Sequence, residues 1–235
     1  MTKTITTKPS LSKDMYYGML FNQITIGSPW LKNMAFAPGG WAVDYCFLYT
    51  MYRALNACKP KHIIELGLGQ TTHMLSQYKQ HNNTDLITFE HDEEWTNFFK
   101  TQSSVDLNIE ICKLLKNQEV TIENELYEGV NLYDNFIKLA KSYSNSYQFV
   151  VIDAPFGTKP YSRVHLLELI ENELINKETF VIMLDDMNRS GEQATFEKAK
   201  ELLKKHGYSF KSQIYSGEKE HGIIVSENLK FLTTM

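Results

Sequence analysis

Acidic side chains follow three apolar segments of the sequence, at the point where each segment ends. Glu90 ends the segment LITFE, and Asp153 follows FVVI. Asp185 and Asp186 together follow FVIML. Carboxylates accept hydrogen bonds from hydroxyl groups, take up protons and bind hard divalent cations. The pattern therefore predicts a site that acts on hydroxyl groups, with or without a metal ion.

A glycine-rich turn, ELGLGQTT, follows a short β-branched run. Gly67 and Gly69 are expected to let the backbone turn tightly and approach a ligand, and Thr71 or Thr72 is expected to open the next helix. The third glycine of a dinucleotide fingerprint is missing, and Glu65 precedes the first glycine. These features fit a nucleoside that carries an amino acid better than a pyrophosphate. A tight strand-to-helix turn without a ligand is the alternative.

Glu90 lies about 20 residues beyond the glycine turn, where an acidic side chain can accept hydrogen bonds from ribose hydroxyls. We include the adjacent His91 in the predicted cofactor site. Asp92 and Glu93 are expected to serve the N-terminus of the following helix, where negative charge is favourable.

Adjacent carboxylates such as Asp185 and Asp186 repel each other unless a positive charge lies beside them, either a metal ion or an arginine such as Arg189. Together with Asp153 they predict an all-oxygen site for Mg²⁺ or a similar ion. In the alternative, Asp186 caps the following turn and Arg189 pairs with Glu192.

These residues belong to segments in which strands alternate with helices. Apolar strands in such a pattern predict a parallel sheet covered on both faces, whose ligands bind at the carboxyl ends of the strands. The predicted strands span residues 62–66, 86–89, 109–115, 120–122, 149–152 and 179–184. The predicted helices span residues 71–78, 93–100, 132–142 and 162–174.

Both ends of the chain differ from this pattern. Residues 1–40 contain the turn sequences GSP and PGG, which predict no long element, and we interpret them as an N-terminal appendage or lid. Residues 41–235 form the expected enzyme domain, beginning with a helix over 41–57. Trp41 and Asp44 are expected either over the cofactor or in the core. After a helix over 193–206, residues 208–215 and 222–225 predict an antiparallel hairpin that closes the sheet edge.

The bulk properties narrow the class of protein. A length of 235 residues fits one α/β domain, and a net charge of −4 argues against nucleic acid as a partner. Three cysteines, Cys46, Cys58 and Cys112, are too few and too scattered for a disulfide framework or a metal site. No segment is apolar enough for a signal peptide or a membrane span. We therefore expect a cytoplasmic enzyme with a small-molecule or saccharide acceptor, and leave homo-oligomerisation open.

Taken together, the motifs resemble class I S-adenosylmethionine-dependent methyltransferases over roughly residues 41–231. The segments DAPFGTKPYSR and DDMNRSGE further resemble plant glucuronoxylan O-methyltransferases and bacterial relatives from surface-polysaccharide clusters. The resemblance implies a Rossmann-like, doubly wound α/β fold with a mostly parallel seven-stranded sheet and a C-terminal antiparallel hairpin. It also implies S-adenosylmethionine as cofactor, methyl transfer to a sugar hydroxyl, and Mg²⁺ or Mn²⁺ held by Asp153, Asp185 and Asp186. Asp153 is also included among the cofactor-binding residues.

The general base is less clear from this resemblance, because Phe156 stands where some sugar O-methyltransferases carry a histidine. We consider Asp153, Asp186 and His221 as catalytic residues, with His165 as a further alternative. His221 is expected on the exposed hairpin turn, where a neutral imidazole can take a proton near physiological pH. His165 is expected on a helix surface.

Three basic residues, Lys159, Arg163 and Arg189, are expected to hold a carboxylate or phosphate on the acceptor, unless they are ordinary surface residues. They leave open a small phosphorylated or phosphoramidate acceptor used in capsule modification. A non-catalytic nucleotide-binding protein of the same fold is a third hypothesis, although it predicts loss of the strand-end acids that this sequence keeps.

Overall fold

The computed structural model describes residues 10–102, 107–158 and 161–234. The strands in these residues are β1 (His62–Leu66), β2 (Asp85–Glu90), β3 (Ile109–Ile111), β4 (Leu114–Ile122), β5 (Glu125–Tyr133), β6 (Phe149–Ile152), β7 (Val181–Leu184), β8 (Phe210–Ser216) and β9 (Glu220–Ser226). The helices are α1 (Leu11–Thr25), α2 (Tyr45–Cys58), α3 (Gln70–Asn82), α4 (Glu93–Gln102), α5 (Phe136–Tyr143), α6 (His165–Glu171) and α7 (Ser190–Lys205), followed by a short 3₁₀ helix (Glu227–Thr233).

Seven strands form one sheet in the order β3-β2-β1-β6-β7-β9-β8. The first five of these are parallel, whereas β9 runs antiparallel to β7 and pairs with β8 as a hairpin. The central strands β6 and β7 are buried along their whole length, as expected for parallel strands that are covered on both faces. The predicted α/β fold class, with its terminal antiparallel hairpin, is confirmed.

Each face of the sheet packs against its own apolar core. Val150 and Ile152 lie in the core covered by α5, α6 and α7, whereas Phe149 and Val151 lie in the core covered by α1, α2 and α3. This alternation follows from the two-residue period of a strand. It fixes the direction of every side chain that follows a strand at the carboxyl edge.

The prediction that residues 1–40 contain no long element is wrong. Helix α1 spans 15 residues from Leu11 and is capped by Ser10, whose side chain accepts a hydrogen bond from the Lys13 backbone N–H. The two turn sequences lie after this helix, and Phe21 packs into the same core as α2. The division of the chain at residue 40 stays a prediction.

The region between β3 and α5 also differs from the expectation. Strands β4 and β5 form a separate antiparallel hairpin, so the helix predicted over 132–142 begins only at Phe136. Glu123 and Asn124 form its turn with φ angles of 48° and 69°, in the left-handed region. Within the described residues, no helix combines the length and the apolar character needed to cross a membrane.

Candidate active site

A cleft opens at the carboxyl ends of the parallel strands, where the sequence predicts a ligand. The predicted cofactor residues Gly67, Glu90, His91 and Asp153 line it. So do Asp186, Arg163 and Arg189, together with residues that the sequence did not single out for the site, including Leu68, Ala154 and Lys219. The topology therefore brings half of the predicted site residues to the lining of one cleft.

Gly67 has to be a glycine in this turn. Its φ of +101° lies in a region that L side chains rarely adopt, and a Cβ there would lie 3.0 Å from the Ala154 Cβ. Gly69 differs, because its φ of −175° is extended backbone that any residue adopts. The turn therefore requires no left-handed backbone at Gly69, and the expected approach of this backbone to a ligand stays a prediction. A Cβ at Gly69 would have no neighbour within 4 Å, so this position leaves open space beside the turn.

Glu65, Thr71 and Thr72 hold the glycine turn from behind. Glu65 Oε2 accepts hydrogen bonds from the hydroxyls of Thr72 (2.8 Å) and Thr88 (2.8 Å), and Thr72 Oγ1 accepts the Gly69 N–H at 2.9 Å. Burial raises the pKa of Glu65 to about 7, although the threonine hydroxyls act in the opposite direction. These side chains are buried and do not line the cleft, so they support the turn, and their place in a cofactor site stays a prediction.

Glu90 is tied to the turn and to the residues that follow it. Its Oε2 accepts the Leu68 N–H at 3.0 Å, and its Oε1 accepts the backbone N–H groups of His91 (2.6 Å) and Asp92 (3.0 Å). His91 Nδ1 lies 2.8 Å from the same Oε1. Burial raises the pKa of Glu90, but these hydrogen bonds outweigh it and the net shift is downward. The hydrogen bond to Glu90 in turn raises the pKa of His91.

The three strand-end aspartates lie together. One carboxylate oxygen from each of Asp153, Asp185 and Asp186 lies within 4.8 Å of the others. Burial and the neighbouring carboxylates raise the pKa of Asp185 well above its usual value. The pKa of Asp153 is also raised by burial and by Asp186, against the opposing charge of Arg163. Asp186 has a φ of +59°, an uncommon left-handed conformation for a residue with a Cβ.

Arg163 lies in the middle of this cluster. Its Nη2 donates to Asp153 Oδ1 at 3.0 Å and to Asp186 Oδ2 at 2.6 Å. Its Nη1 donates to the carbonyl oxygens of Ile152 (3.2 Å) and Asp185 (2.9 Å) at the ends of β6 and β7. These bonds use all four N–H groups of the terminal nitrogens, so none of these remains for an acceptor, and the acceptor role of Arg163 stays a prediction. It also precedes α6, with a φ of +60°, instead of lying in the predicted helix.

Two further cations surround the acids. Arg189 Nη1 lies 3.0 Å from Asp186 Oδ2 and 3.9 Å from Glu192 Oε1, so the alternative pairing of Arg189 with Glu192 is the longer of the two contacts. Lys219 Nζ lies 3.5 Å from Asp185 Oδ2 and 3.6 Å from Asp186 Oδ1. The sequence analysis missed Lys219. The predicted acceptor residue Lys159 lies outside the described residues.

The contacts do not fit a resident divalent ion. An ion such as Mg²⁺ binds carboxylate oxygens at about 2.0–2.1 Å, so a protein cation that occupies the same oxygens competes with it. Here Arg163 binds one oxygen of Asp153 and one of Asp186, and Lys219 faces the second oxygen of Asp186 together with Asp185 Oδ2. Protein cations therefore lie where the predicted ion would bind, and the metal site stays a prediction.

The prediction that His221 lies on an exposed turn is wrong. It lies in β9, opposite Tyr215 of β8, is 1 % exposed, and packs with its ring centroid 4.9 Å from that of Phe47. Burial lowers its pKa to about 3. Because β9 directs this side chain into the core, His221 is not proposed as the general base.

His165 is also buried instead of lying on a helix surface. Its Nε2 accepts the Tyr133 backbone N–H at 2.7 Å, which leaves the ring proton on Nδ1, next to Glu168. The residue thus links α6 to β5 and does not line the cleft.

Two exposed aromatic rings flank the cleft. Trp41 is 80 % exposed, and its ring centroid lies 5.5 Å from that of Phe156, which is 56 % exposed. Asp44 instead caps α2 by accepting the Phe47 N–H at 2.9 Å. Of the two residues expected either over the cofactor or in the core, Trp41 therefore lies at the cleft and Asp44 at a helix end.

Comparisons with known proteins place this architecture among methyltransferase folds. No protein-family model matches the chain, and no curated protein matches it. Among solved structures, an SAH-bound methyltransferase from Podospora anserina has a TM-score of 0.50 at 9 % identity over 93 % of this chain and 89 % of that one.

Two further solved structures have lower scores. A methyltransferase from Pyrococcus furiosus has a TM-score of 0.47 at 16 % identity over 92 % and 98 % of the two chains. A spermidine synthase from Thermotoga maritima has 0.42 at 14 % over 75 % and 58 %. At these identities the likeness shows the fold alone.

Proposed function

We propose that this protein is an S-adenosylmethionine-dependent methyltransferase. The observation that carries the proposal is the pairing of the glycine turn with Glu90. Glu90 Oε2 accepts one N–H, from Leu68, so a lone pair of this oxygen remains for a ribose hydroxyl. The open space at Gly69 leaves room for the rest of the nucleoside, and the methyltransferase neighbours share the sheet.

Asp153 is the proposed proton acceptor. Arg163 donates a hydrogen bond to Asp153 Oδ1. The Asp153 side chain is 23 % exposed and lines the cleft, and its raised pKa suits a general base. Asp185 is 1 % exposed, and Asp186 is surrounded by three cations. In the proposed step the acceptor oxygen, held about 3–3.5 Å from the methyl carbon, forms the new C–O bond as the S–C bond breaks. Asp153 takes the hydroxyl proton, and S-adenosylhomocysteine leaves.

The proposed acceptor is a sugar hydroxyl of a surface polysaccharide or its precursor. Trp41 and Phe156 present exposed aromatic faces at the cleft, which suit the apolar face of a sugar ring, while polar groups nearby orient its hydroxyls. Arg189 favours a second candidate, because its side chain is 40 % exposed and can bind an anionic group through two hydrogen bonds. That candidate is a small phosphorylated or phosphoramidate acceptor.

A methyl-transfer screen tests the proposal. The protein is first titrated calorimetrically with S-adenosylmethionine and S-adenosylhomocysteine, and no heat and no thermal shift at millimolar ligand would remove the central claim. It is then incubated with methyl-labelled donor and three acceptor sets: neutral sugars, uronic acids and phosphorylated or phosphoramidate compounds. Label in neutral sugars supports the first candidate, and label confined to the phosphorus compounds supports the second.

The uronic acids test how Arg189 acts, with Arg189→Gln as the matched variant. Loss of label from uronic acids alone in this variant assigns their carboxylate to Arg189 and keeps the sugar proposal. Binding of the donor without transfer to any set would favour a non-catalytic nucleotide-binding protein.

A further inference from the structure

We infer that the positive charge in this site is built into the protein by Arg163 and Lys219, so that no divalent ion is resident between Asp153, Asp185 and Asp186. The inference deepens the proposed function, and its bearing on catalysis rests on that function. Whether the site binds a divalent ion can be tested without knowing the acceptor. It also assigns a site role to Lys219.

The charges in contact with one another nearly balance without a metal ion. The acids are Asp153, Asp185, Asp186 and Glu192, and the cations in contact with them are Arg163, Arg189 and Lys219. With every acid ionised the acids exceed the cations by one charge, and the raised pKa of Asp185 makes that excess smaller still. A divalent ion would carry more positive charge than the excess.

Arg163 is buried and is held by hydrogen bonds to the ends of two strands. Its side chain is 3 % exposed, and it connects the carboxylates that follow β6 and β7 to the last carbonyl groups of the same strands. Its left-handed backbone is a conformation that surrounding contacts must maintain. The planar guanidinium group holds several N–H donors in fixed positions relative to one another.

Lys219 is likewise anchored and is not a mobile surface lysine. Its backbone N–H donates to Asp44 Oδ2 at 2.9 Å, and its carbonyl accepts the Gly217 N–H at 2.8 Å. Asp44 is fixed in turn because it caps α2. A Cβ on Gly217 would collide with the Asp44 carboxylate, so the turn packs directly on this anchor. The Lys219 side chain is 15 % exposed and points its ammonium at the acid pair.

An ion would have to displace this ammonium. Arg163 already binds Asp186 Oδ2, so an ion shared by Asp185 and Asp186 would use Asp186 Oδ1, which Lys219 faces together with Asp185 Oδ2. Asp185 Oδ2 has no hydrogen-bond partner among the described residues, so the ammonium is its nearest compensation. Removing Lys219 should therefore create the ion site that the intact protein lacks.

The experiment titrates Mn²⁺ alone into the full-length protein and follows free Mn²⁺ by electron paramagnetic resonance, with and without S-adenosylhomocysteine. The variants are Lys219→Met, Lys219→Arg and the control Lys198→Met. Lys198 is a matched control because its side chain is 16 % exposed and its Nζ lies 2.7 Å from Glu125 and 3.6 Å from Glu201. It lies on α7, away from the acid cluster.

We expect the wild type, Lys219→Arg and Lys198→Met to bind no Mn²⁺ up to millimolar concentration, and Lys219→Met to bind at least ~10-fold more tightly than these. Binding to the wild type with a Kd tighter than about 1 mM, in the range of dedicated protein sites, would overturn the inference. A folded Lys219→Met protein without gained binding would remove Lys219 from it. If Lys219→Met fails to fold, the wild type and Lys219→Arg decide the question. Failure of S-adenosylhomocysteine to bind would instead count against the proposed function.

Discussion

Replacing Glu90 by alanine should weaken donor binding by the loss of one hydrogen bond, in addition to the stability lost with its contacts to backbone N–H groups. A carboxylate accepts about four hydrogen bonds, and Glu90 uses one lone pair of Oε2 and the whole of Oε1 on protein donors. One position on Oε2 remains for a ribose hydroxyl. We therefore predict the loss of one charge-assisted hydrogen bond, about 1.5–3 kcal/mol. This corresponds to a Kd for S-adenosylhomocysteine raised roughly 10- to 150-fold.

The assay is isothermal titration of S-adenosylhomocysteine at one pH and ionic strength, with the melting temperature of each protein measured without ligand. Asp92→Ala is the matched control, because Asp92 also follows β2 and accepts a backbone N–H, from Trp95 at 2.8 Å, but does not line the cleft. Its affinity should stay within about twofold of the wild type.

The Glu90 reasoning would be refuted by a variant whose Kd equals that of the wild type while its fold is intact. A second outcome also counts against it. If Asp92→Ala weakens binding as much as Glu90→Ala does, the loss reflects disorder of the segment after β2 and not a contact with the ribose.

Three other substitutions test separate parts of the site. Gly67→Ala should lower the free energy of unfolding by about 1–3 kcal/mol, because it forces a Cβ into a left-handed turn. Gly69→Ala should change this free energy little. Urea denaturation of both variants tests the difference, and equal effects would contradict the turn geometry. Asp153→Asn should slow single-turnover methyl transfer by about 10²–10⁴ while the Kd for the donor stays within about twofold; undiminished transfer would exclude it as the base. His221→Phe should make the free energy of unfolding depend less on pH under acidic conditions. The buried imidazole has a pKa of about 3, below the unfolded value of 6.5, so the unfolded chain binds more protons between these values. Stability of the wild type should fall in this window by up to about 1.4 kcal/mol per pH unit as the pH falls, and parallel urea profiles for the two proteins at pH 8, 6 and 5 would be inconsistent with this account.

The parallel strands were predictable because burial on both faces requires unbroken apolar runs. Strands β1 and β6 begin and end where the sequence predicted. Helix α1 was missed for the opposite reason. Its apolar residues Leu11, Met15 and Met19 are 65 %, 64 % and 72 % exposed, so its pattern does not mark a face that packs on a core.

The strand-end acids were predictable from topology alone, since parallel strands that alternate with helices bring their carboxyl ends to one edge. Arg163 was not. Its role depends on a left-handed backbone that turns it back between β6 and β7, and nothing local in the sequence requires an arginine to bind inward instead of facing solvent.

The sequence pattern of the hairpin predicts a strand that starts two residues too late. It predicts the strand over residues 222–225 and His221 in the turn, whereas β9 begins at Glu220. In a strand His221 shares a face with Ile223 and Val225, and both of these lie in the core beneath α2. The two-residue period therefore predicts a buried histidine.

The pairing of β9 with β7 also explains the position of Lys219, which the sequence analysis missed. Gly222 pairs with Leu184, so antiparallel β9 starts beside the carboxyl end of β7, where Asp185 follows directly. The turn that precedes β9 must then lie over the acid pair, and Lys219 is the basic residue nearest to that strand start. An antiparallel strand next to a parallel one thus brings a turn to the ligand-binding edge. Its charged residues belong among the candidates for the site, together with those that follow the parallel strands.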